Sequence, residues 1–304
     1  MIGSKGLCPQ NLIFCLKMSF LFQSILNGVL AGCIYALFAM GLTLIYGVLG
    51  FVNFAHGELI MWGAYFLYLL MEKPIGLPLP SALAFALLLT ALMGTGVDRF
   101  VFRPLRHANS LTLLIAALGL SFLLRNGAQF FWGAEIRTYG FEIKRGFRFL
   151  DISITLNQMM IIFATIISIS FVYLLFHRSR LGKSMRALSD NLELARVVGI
   201  DSKRTIRFAW IIASILAGAG GILLALDTNL QPGMGLINLV KAFAATLLGG
   251  VGNLWGALWG GILIGLAENL GVLVISPGYK DAIAFGIMVL MLLIRPSVLF
   301  HKQE

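Results

Sequence analysis

Asn53, His56 and Glu58 fall within "FVNFAHGEL" (51–59), at the close of a stretch in which residues 18–57 contain no Asp, Glu, Lys or Arg. A carboxylate at such a place could carry a proton, and an amide and an imidazole beside it could gate a pathway. The same groups could also close a structural turn where a membrane span meets water. Ionisable groups inside lipid are costly and usually face a pathway or a partner. Glu268, in "GLAENLG" (265–271), raises the same question, and Asn27, Asp227, Asn238, Asn253 and Asn269 are the other polar residues of the apolar segments. Most of these positions lie near predicted span ends, so solvation at the interface is the simplest expectation for them, Glu58 and Glu268 included.

Other chemistry is missing from the sequence. No GxxxxGK[ST] phosphate loop, HExxH, GxSxG or Cys/His ligand cluster occurs, and the four histidines are far apart. The chain therefore has no usual apparatus for hydrolysing ATP and nothing that supports an enzyme. Cys8, Cys15 and Cys33 form no CxxC pair, and free thiols are expected.

A second informative stretch is "SRLGKSMRALSDNLELARVVGIDSKRTIRFAW" (179–210), which reads as a helix, a short second helix and the start of a span. Asp190 can cap the short helix, with Glu193 completing a reciprocal box. Leu192, Ala195 and Val198 then share a face, and Gly199 follows as a stop. Asp201 or Ser202 caps the next helix. A short rigid helix with an apolar stripe, held between two spans, has the form of a docking element. A solvated connector lying on lipid headgroups would look the same.

The elements that hold these residues follow from composition. Hydrophobic residues make up 59% of the 304 and charged residues 12%, against roughly a quarter charged in soluble domains. Charge-free runs recur at 59–71, 74–97, 107–124, 152–177, 208–226 and 242–267. About 20 apolar residues cross a bilayer as a helix, and the long unbroken runs lack the alternation of a barrel. The chain is predicted to be an all-α, polytopic helical transmembrane bundle. Spans are expected near 20–47, 52–71, 79–101, 109–128, 155–176, 206–226, 235–251, 254–275 and 281–297. The first segment is too long for one upright helix and barely enough for two, with Gly41, Gly47 and Gly50 as places to break, so eight to ten crossings are open. Residues 1–17 are a poor signal peptide and read as an extension before a natural start at Met18. One transmembrane domain, 18–304, would then follow.

Lys and Arg in short loops set the orientation. Residues 178–207 carry eight of them against three acids, and 98–107 holds Arg99, Arg103 and Arg106. Parity places both on one side, the cytoplasm, and 129–151 opposite. That opposite segment also has Arg137, Lys144, Arg145 and Arg148, and it reads as an exposed hairpin around Lys144-Arg145-Gly146. The net charge of +10 clusters at span ends, which suits anionic lipid headgroups and calls for no nucleic acid.

Small residues recur at four-residue spacing: Gly28 and Gly32; Ala213, Ala217, Gly221 and Ala225; Gly252, Gly256 and Gly260; Gly261 and Gly265. Such ladders let helices pack closely in lipid. The sharper reading is that Gly249–Gly252 breaks a helix and frees backbone groups to line a cavity.

Four stretches now carry a resemblance: "NGVLAGCIYALFAMGLTLIYGVLGFVNFAHGELIMWGAY" (27–65), "RPLR" (103–106), "GKSMRALSDNLELARVVGID" (182–201) and "KAFAATLLGGVGNLWGALWGGILIGLAENL" (241–270). Over 20–300 the chain resembles the permease subunits of branched-chain amino acid ABC importers, of the LivH type; residues 1–17 depart from that pattern. The resemblance implies an ABC importer permease fold in the inner membrane of a bacterium or archaeon. It implies two cytoplasmic ATPases, a second permease of LivM type, a soluble binding protein outside, and no cofactor. The family's docking loop maps onto Glu193, Ala195 and Gly199, and its "NFAHGE" onto residues 53–58. Similar permeases move urea, short amides or other amino acids, and nothing here reads a leucine side chain. Two rivals from other classes are an ion-coupled secondary transporter, with Glu58 or Glu268 carrying a proton, and a channel or scaffold without energy input.

Overall fold

The computed structural model describes residues 9–73, 75–106, 108–140, 146–149 and 152–294, with backbone alone for 9–17, 147–149 and 152. Its axis is one helix, α1 (Pro9–Leu49), unbroken over 41 residues. Leu37, Phe38, Ala39 and Met40 are all 0% exposed. Four consecutive positions cover a full helical turn, so at this level other helices surround α1 on every side. Neither Gly41 nor Gly47 breaks it. Only Gly50, at φ 71°, ends it, because every peptide before it already has its helical partner and protein packed around it.

Around this mast run α2 (Ala55–Met71), α3 (Leu79–Val97), which continues through a π-turn at Asp98–Phe102, and α4 (Ser110–Trp132). A strand pair, β1 (Phe147–Phe149) and β2 (Ile152–Ile154), precedes α5 (Leu156–Arg178), α6 (Arg180–Asp190) and α7 (Leu192–Val197). Then come α8 (Ser202–Asp227), α9 (Met234–Gly249), α10 (Leu254–Gly271), a 3₁₀ turn at Pro277–Tyr279 and α11 (Lys280–Ile294). Among the described residues, six helices are long and apolar enough to cross a membrane: α1 from Met18, α3 with its π-turn, α4, α5, α8 and the 3₁₀ turn with α11. The other three are shorter, with 17 residues in α2, 16 in α9 and 18 in α10. The outer helices show apolar side chains outward, Phe130 at 85% exposed and Phe163 at 67%, as lipid-facing surfaces do.

The glycine ladders close inside the chain. Gly28 and Gly32 of α1 lie against Leu266 and Ile262 of α10, and Gly261 and Gly265 of α10 lie against Ala36 and Gly32 of α1. Two backbones cross here with nothing between them. The other ladder joins α9 to α10, with Gly256 on Gly249 and Gly260 on Ala245. The 249–252 cluster does not interrupt a helix. It turns the chain between two of them, and Asn253 then caps α10 by accepting from the N–H groups of Trp255 and Gly256, both at 3.1 Å.

The two ends of the bundle differ. At one end α6 and α7 lie beside the C-terminus of α1 and the N-terminus of α8. At the other, the Gln23 side-chain amide pairs with the Ser153 backbone, donating to its carbonyl at 3.3 Å and accepting from its N–H at 3.1 Å. An antiparallel strand pair is present in this segment. Phe147 pairs with Ile154 and Phe149 with Ile152, so both described strands follow Gly146; Lys144 and Arg145 lie outside the described residues.

Candidate functional site

The residues of "FVNFAHGEL" lead into a helix, α2, that starts inside the bundle. Nε2 of His56 lies 3.3 Å from the Phe38 carbonyl oxygen. Phe38 is eleven residues before the end of α1 at Leu49, which is about 16 Å of helix. The 50–54 segment must therefore turn back into the protein before α2 begins. Asn53 closes that turn, its Oδ1 accepting from the Ala55 N–H at 3.1 Å. Glu58 faces elsewhere. Its Oε1 accepts from Ser121 Oγ at 2.8 Å and from Arg125 Nη2 at 2.6 Å, both on α4. One turn thus holds the three groups, but their partners are its own backbone, α1 and α4. Each keeps one buried atom without a hydrogen-bond partner among the described residues: Asn53 Nδ2, His56 Nδ1 and Glu58 Oε2.

The expectation of interfacial solvation fails for both carboxylates, since Glu58 and Glu268 are each 0% exposed. Each is compensated by a cation. For Glu268 it is Lys241 of α9, whose ammonium is 3.0 Å from Oε1, 2.7 Å from Asp281 Oδ1 on α11 and 3.0 Å from the Tyr35 hydroxyl on α1. Tyr35 in turn donates to Glu268 Oε2 at 2.7 Å. An ammonium has three protons to give, and this arrangement offers it three acceptors from three helices. Arg125 and Lys241 were missed in the sequence. Yet both lie within predicted spans, 109–128 and 235–251, beside charge-free runs. The rule that a charge inside a membrane has a partner would have linked them to Glu58 and Glu268.

Replacing Arg125 with leucine leaves a buried carboxylate alone. Removing one member of a buried pair costs roughly 3–5 kcal/mol, so Arg125→Leu should melt far below the native chain in detergent. Arg125→Leu combined with Glu58→Gln should recover most of the loss. A double variant no more stable than the single would show that the charge pair is not what holds α2 to α4.

The loop helices are closed by caps at each end. Ser179 Oγ accepts from the Gly182 N–H at 3.0 Å to start α6. Asp190 does not cap α7. It is the last residue of α6, still in helical hydrogen bonding, and Asn191 takes the extended conformation at φ −157°, ψ 111°. Asn191 Oδ1 accepts from the N–H groups of Glu193 at 3.0 Å and Leu194 at 2.9 Å. Glu193 is accordingly the second helical residue, one too early for the reciprocal box. Gly199 does stop the helix. At φ 88° it sends its own N–H to the Arg196 carbonyl, while Ile200 N–H reaches Ala195, both at 3.0 Å, a Schellman closure. Asp201 Oδ1, accepting from Arg204 N–H at 3.1 Å, then starts α8. The expected face of Leu192, Ala195 and Val198 is divided: Ala195 is 4% exposed and packed inward, while Val198 is 73% exposed. With Val197 at 83% and Leu194 at 61% exposed, the outward apolar patch is Leu194, Val197 and Val198.

Two cavities mark the ends. One of about 590 Å³ lies between α6 and the α9–α10 turn, with Arg186, Ser189 and Asp190 facing Gly252 and Asn253. Another of about 400 Å³ lies at the hairpin end, lined by Thr138, Asn157, Gln158, Asp227 and Asn229. Among the described residues, no three His, Cys, Asp or Glu are grouped to hold a metal.

The family described as "Branched-chain amino acid transport system / permease component" matches residues 24–292. The high-affinity branched-chain amino acid transport system permease protein BraD of Pseudomonas aeruginosa is 35% identical, over 93% of this chain and 96% of that one. The corresponding permease protein LivH of Escherichia coli is 31% identical with the same coverage. The archaeal protein of Methanocaldococcus jannaschii, a probable branched-chain amino acid transport permease protein LivH, is 30% identical over 90% of this chain and 91% of its own.

Proposed function

The chain belongs to the branched-chain amino acid transport permease family, and on that premise we propose that it is one of two permeases in an ATP-driven importer of branched-chain or other small amino acids. In this reading the α6–α7 end is cytoplasmic and meets two ATPase subunits. The hairpin end faces outward, where a soluble binding protein delivers substrate near the polar cavity at Thr138 and Gln158. A second, LivM-type permease completes the pathway in the inner membrane. In this reading α1–α5 and α8–α11 supply nine membrane helices among the described residues, α2 starting from within the bundle. Residues 1–17 have no part in transport.

The observation that carries this reading is α7. Leu194, Val197 and Val198 are exposed on a short helix fixed at both ends by Asn191 and Gly199. An apolar patch on a rigid connector is a surface for another protein, and here it is linked through α6 to the α9–α10 turn. Glu193, Ala195 and Gly199 belong to the coupling element, Ala195 by packing it inward. Asn53 and His56 form the turn that starts α2, and Glu58 fixes that turn to α4.

The two buried carboxylates favour a second reading, an ion-coupled transporter. Both are held in ion pairs, which opposes their cycling as proton carriers. Vesicles containing the full importer distinguish the readings: uptake should follow ATP and persist when an uncoupler removes the proton gradient. Uptake that stops on adding uncoupler at fixed ATP would favour proton coupling.

A further inference from the structure

Between α9 and α11 the surface opens into a cleft of about 360 Å³, walled by Leu236, Ile237 and Val240 on one side and Phe285 on the other. Lys241 and Asp281 complete its lining. The walls are apolar and open, with Leu236 37%, Ile237 42% and Phe285 52% exposed. The charges beneath are unequal. One ammonium, Lys241, is shared by two carboxylates, Glu268 and Asp281. The neighbouring cation, Lys280, donates instead to Asn269 at 3.1 Å. Glu268 is wholly buried, whereas the Asp281 side chain is 64% exposed at the mouth of the cleft.

A carboxylate left over beside an apolar cleft in a membrane protein is not placed to face lipid. It needs water or a cation. We propose that this cleft is a stopping place on the translocation pathway for a small molecule bearing a primary ammonium next to an aliphatic group. The ammonium docks on Asp281, where it balances the surplus negative charge. The aliphatic part lies against Leu236, Ile237 and Phe285. Lys241 is a positioning residue: it ties Asp281 to the buried Glu268 and Tyr35, and so holds α11 at a fixed distance from α9. The inference rests on the permease reading and adds to it the part of the substrate that this chain reads, the ammonium. A neutral amide of the same shape gains the apolar contact but leaves the charge unbalanced.

The test uses Ile237→Cys in membranes containing the chain with its partner subunits, labelled with a permeant maleimide and read above the background of the native cysteines. Isoamylamine and L-leucine should slow labelling several-fold, and isovaleramide should not. In Ile237→Cys with Asp281→Asn, an exposed change that leaves Lys241 and Glu268 paired, that protection should vanish while labelling without ligand stays the same. Equal protection by isovaleramide, or protection that survives Asp281→Asn, would overturn the assignment. So would a thiol that is unreactive without any ligand, because another helix would then fill the cleft. ATP-driven uptake by the unmodified complex is measured separately, so the cleft can fail while the permease reading stands.

Discussion

Gly265→Ala is expected to destabilise this protein, although alanine is the better helix former. Glycine inside a helix is ordinarily worse than alanine by roughly 0.5–1 kcal/mol. At position 265 the added methyl group would meet Gly32 N and Cα and the Gly28 carbonyl oxygen, all backbone atoms of α1. Backbone cannot rotate away as a side chain can. The helices must separate, and every contact along the central crossing weakens with them. Overpacking costs typically 1–3 kcal/mol, and a clash with backbone at the axis of the bundle belongs at the top of that range. Gly265→Val should leave little folded chain in the membrane.

Gly119→Ala on α4 provides the opposite sign. A Cβ there meets nothing within 4 Å, so the substitution should be neutral or mildly stabilising. Thermal unfolding of both variants in one detergent decides the matter. If Gly265→Ala melts with or above the native chain, α1 and α10 do not cross at the distance described.

The small residues of that crossing were legible in the sequence. Gly28/Gly32 and Gly261/Gly265 are spaced for close packing, and the structure sets the two pairs against each other. Spacing alone could not reveal which ladder meets which, because that depends on the order of helices around α1. The ionic partners were hidden for a related reason. Glu58 meets Arg125 across a separation of 67 residues, and Lys241 meets Glu268 across 27. Only the rule that buried charges pair could have proposed either contact. The α7 cap was misassigned by one residue because Asp190 and Asn191 are both good caps. The choice between them falls to Asn191, the residue at which the α6 backbone turns extended. The expected outward stripe failed similarly, since α7 is tethered to α6 and α8, and those neighbours fix which side of it is covered.

The second large effect is expected at α7. Val197→Asp with Val198→Asp should abolish transport while leaving the membrane bundle intact, since both side chains are exposed and support no internal packing. Burying a valine in an interface is worth about 1.5 kcal/mol or more. Losing two such contacts therefore weakens docking by about 3 kcal/mol, on the order of 100-fold. Gly199→Val should act in the same direction by another route. The residue has open space around it but φ of 88°, a conformation that a β-branched residue resists, so α7 would lose its closure and its aim.

The central claim, that α7 couples this permease to ATP hydrolysis, is tested most directly by measuring uptake and ATP hydrolysis in the same proteoliposomes. These would contain the chain, a second permease, the ATPases and a loaded binding protein. With Val197→Asp/Val198→Asp at native amounts of chain, uptake should fall on the order of 100-fold, as a loss of about 3 kcal/mol in docking gives, and hydrolysis should no longer respond to loaded binding protein. Native uptake with native, stimulated hydrolysis in that variant would contradict the claim.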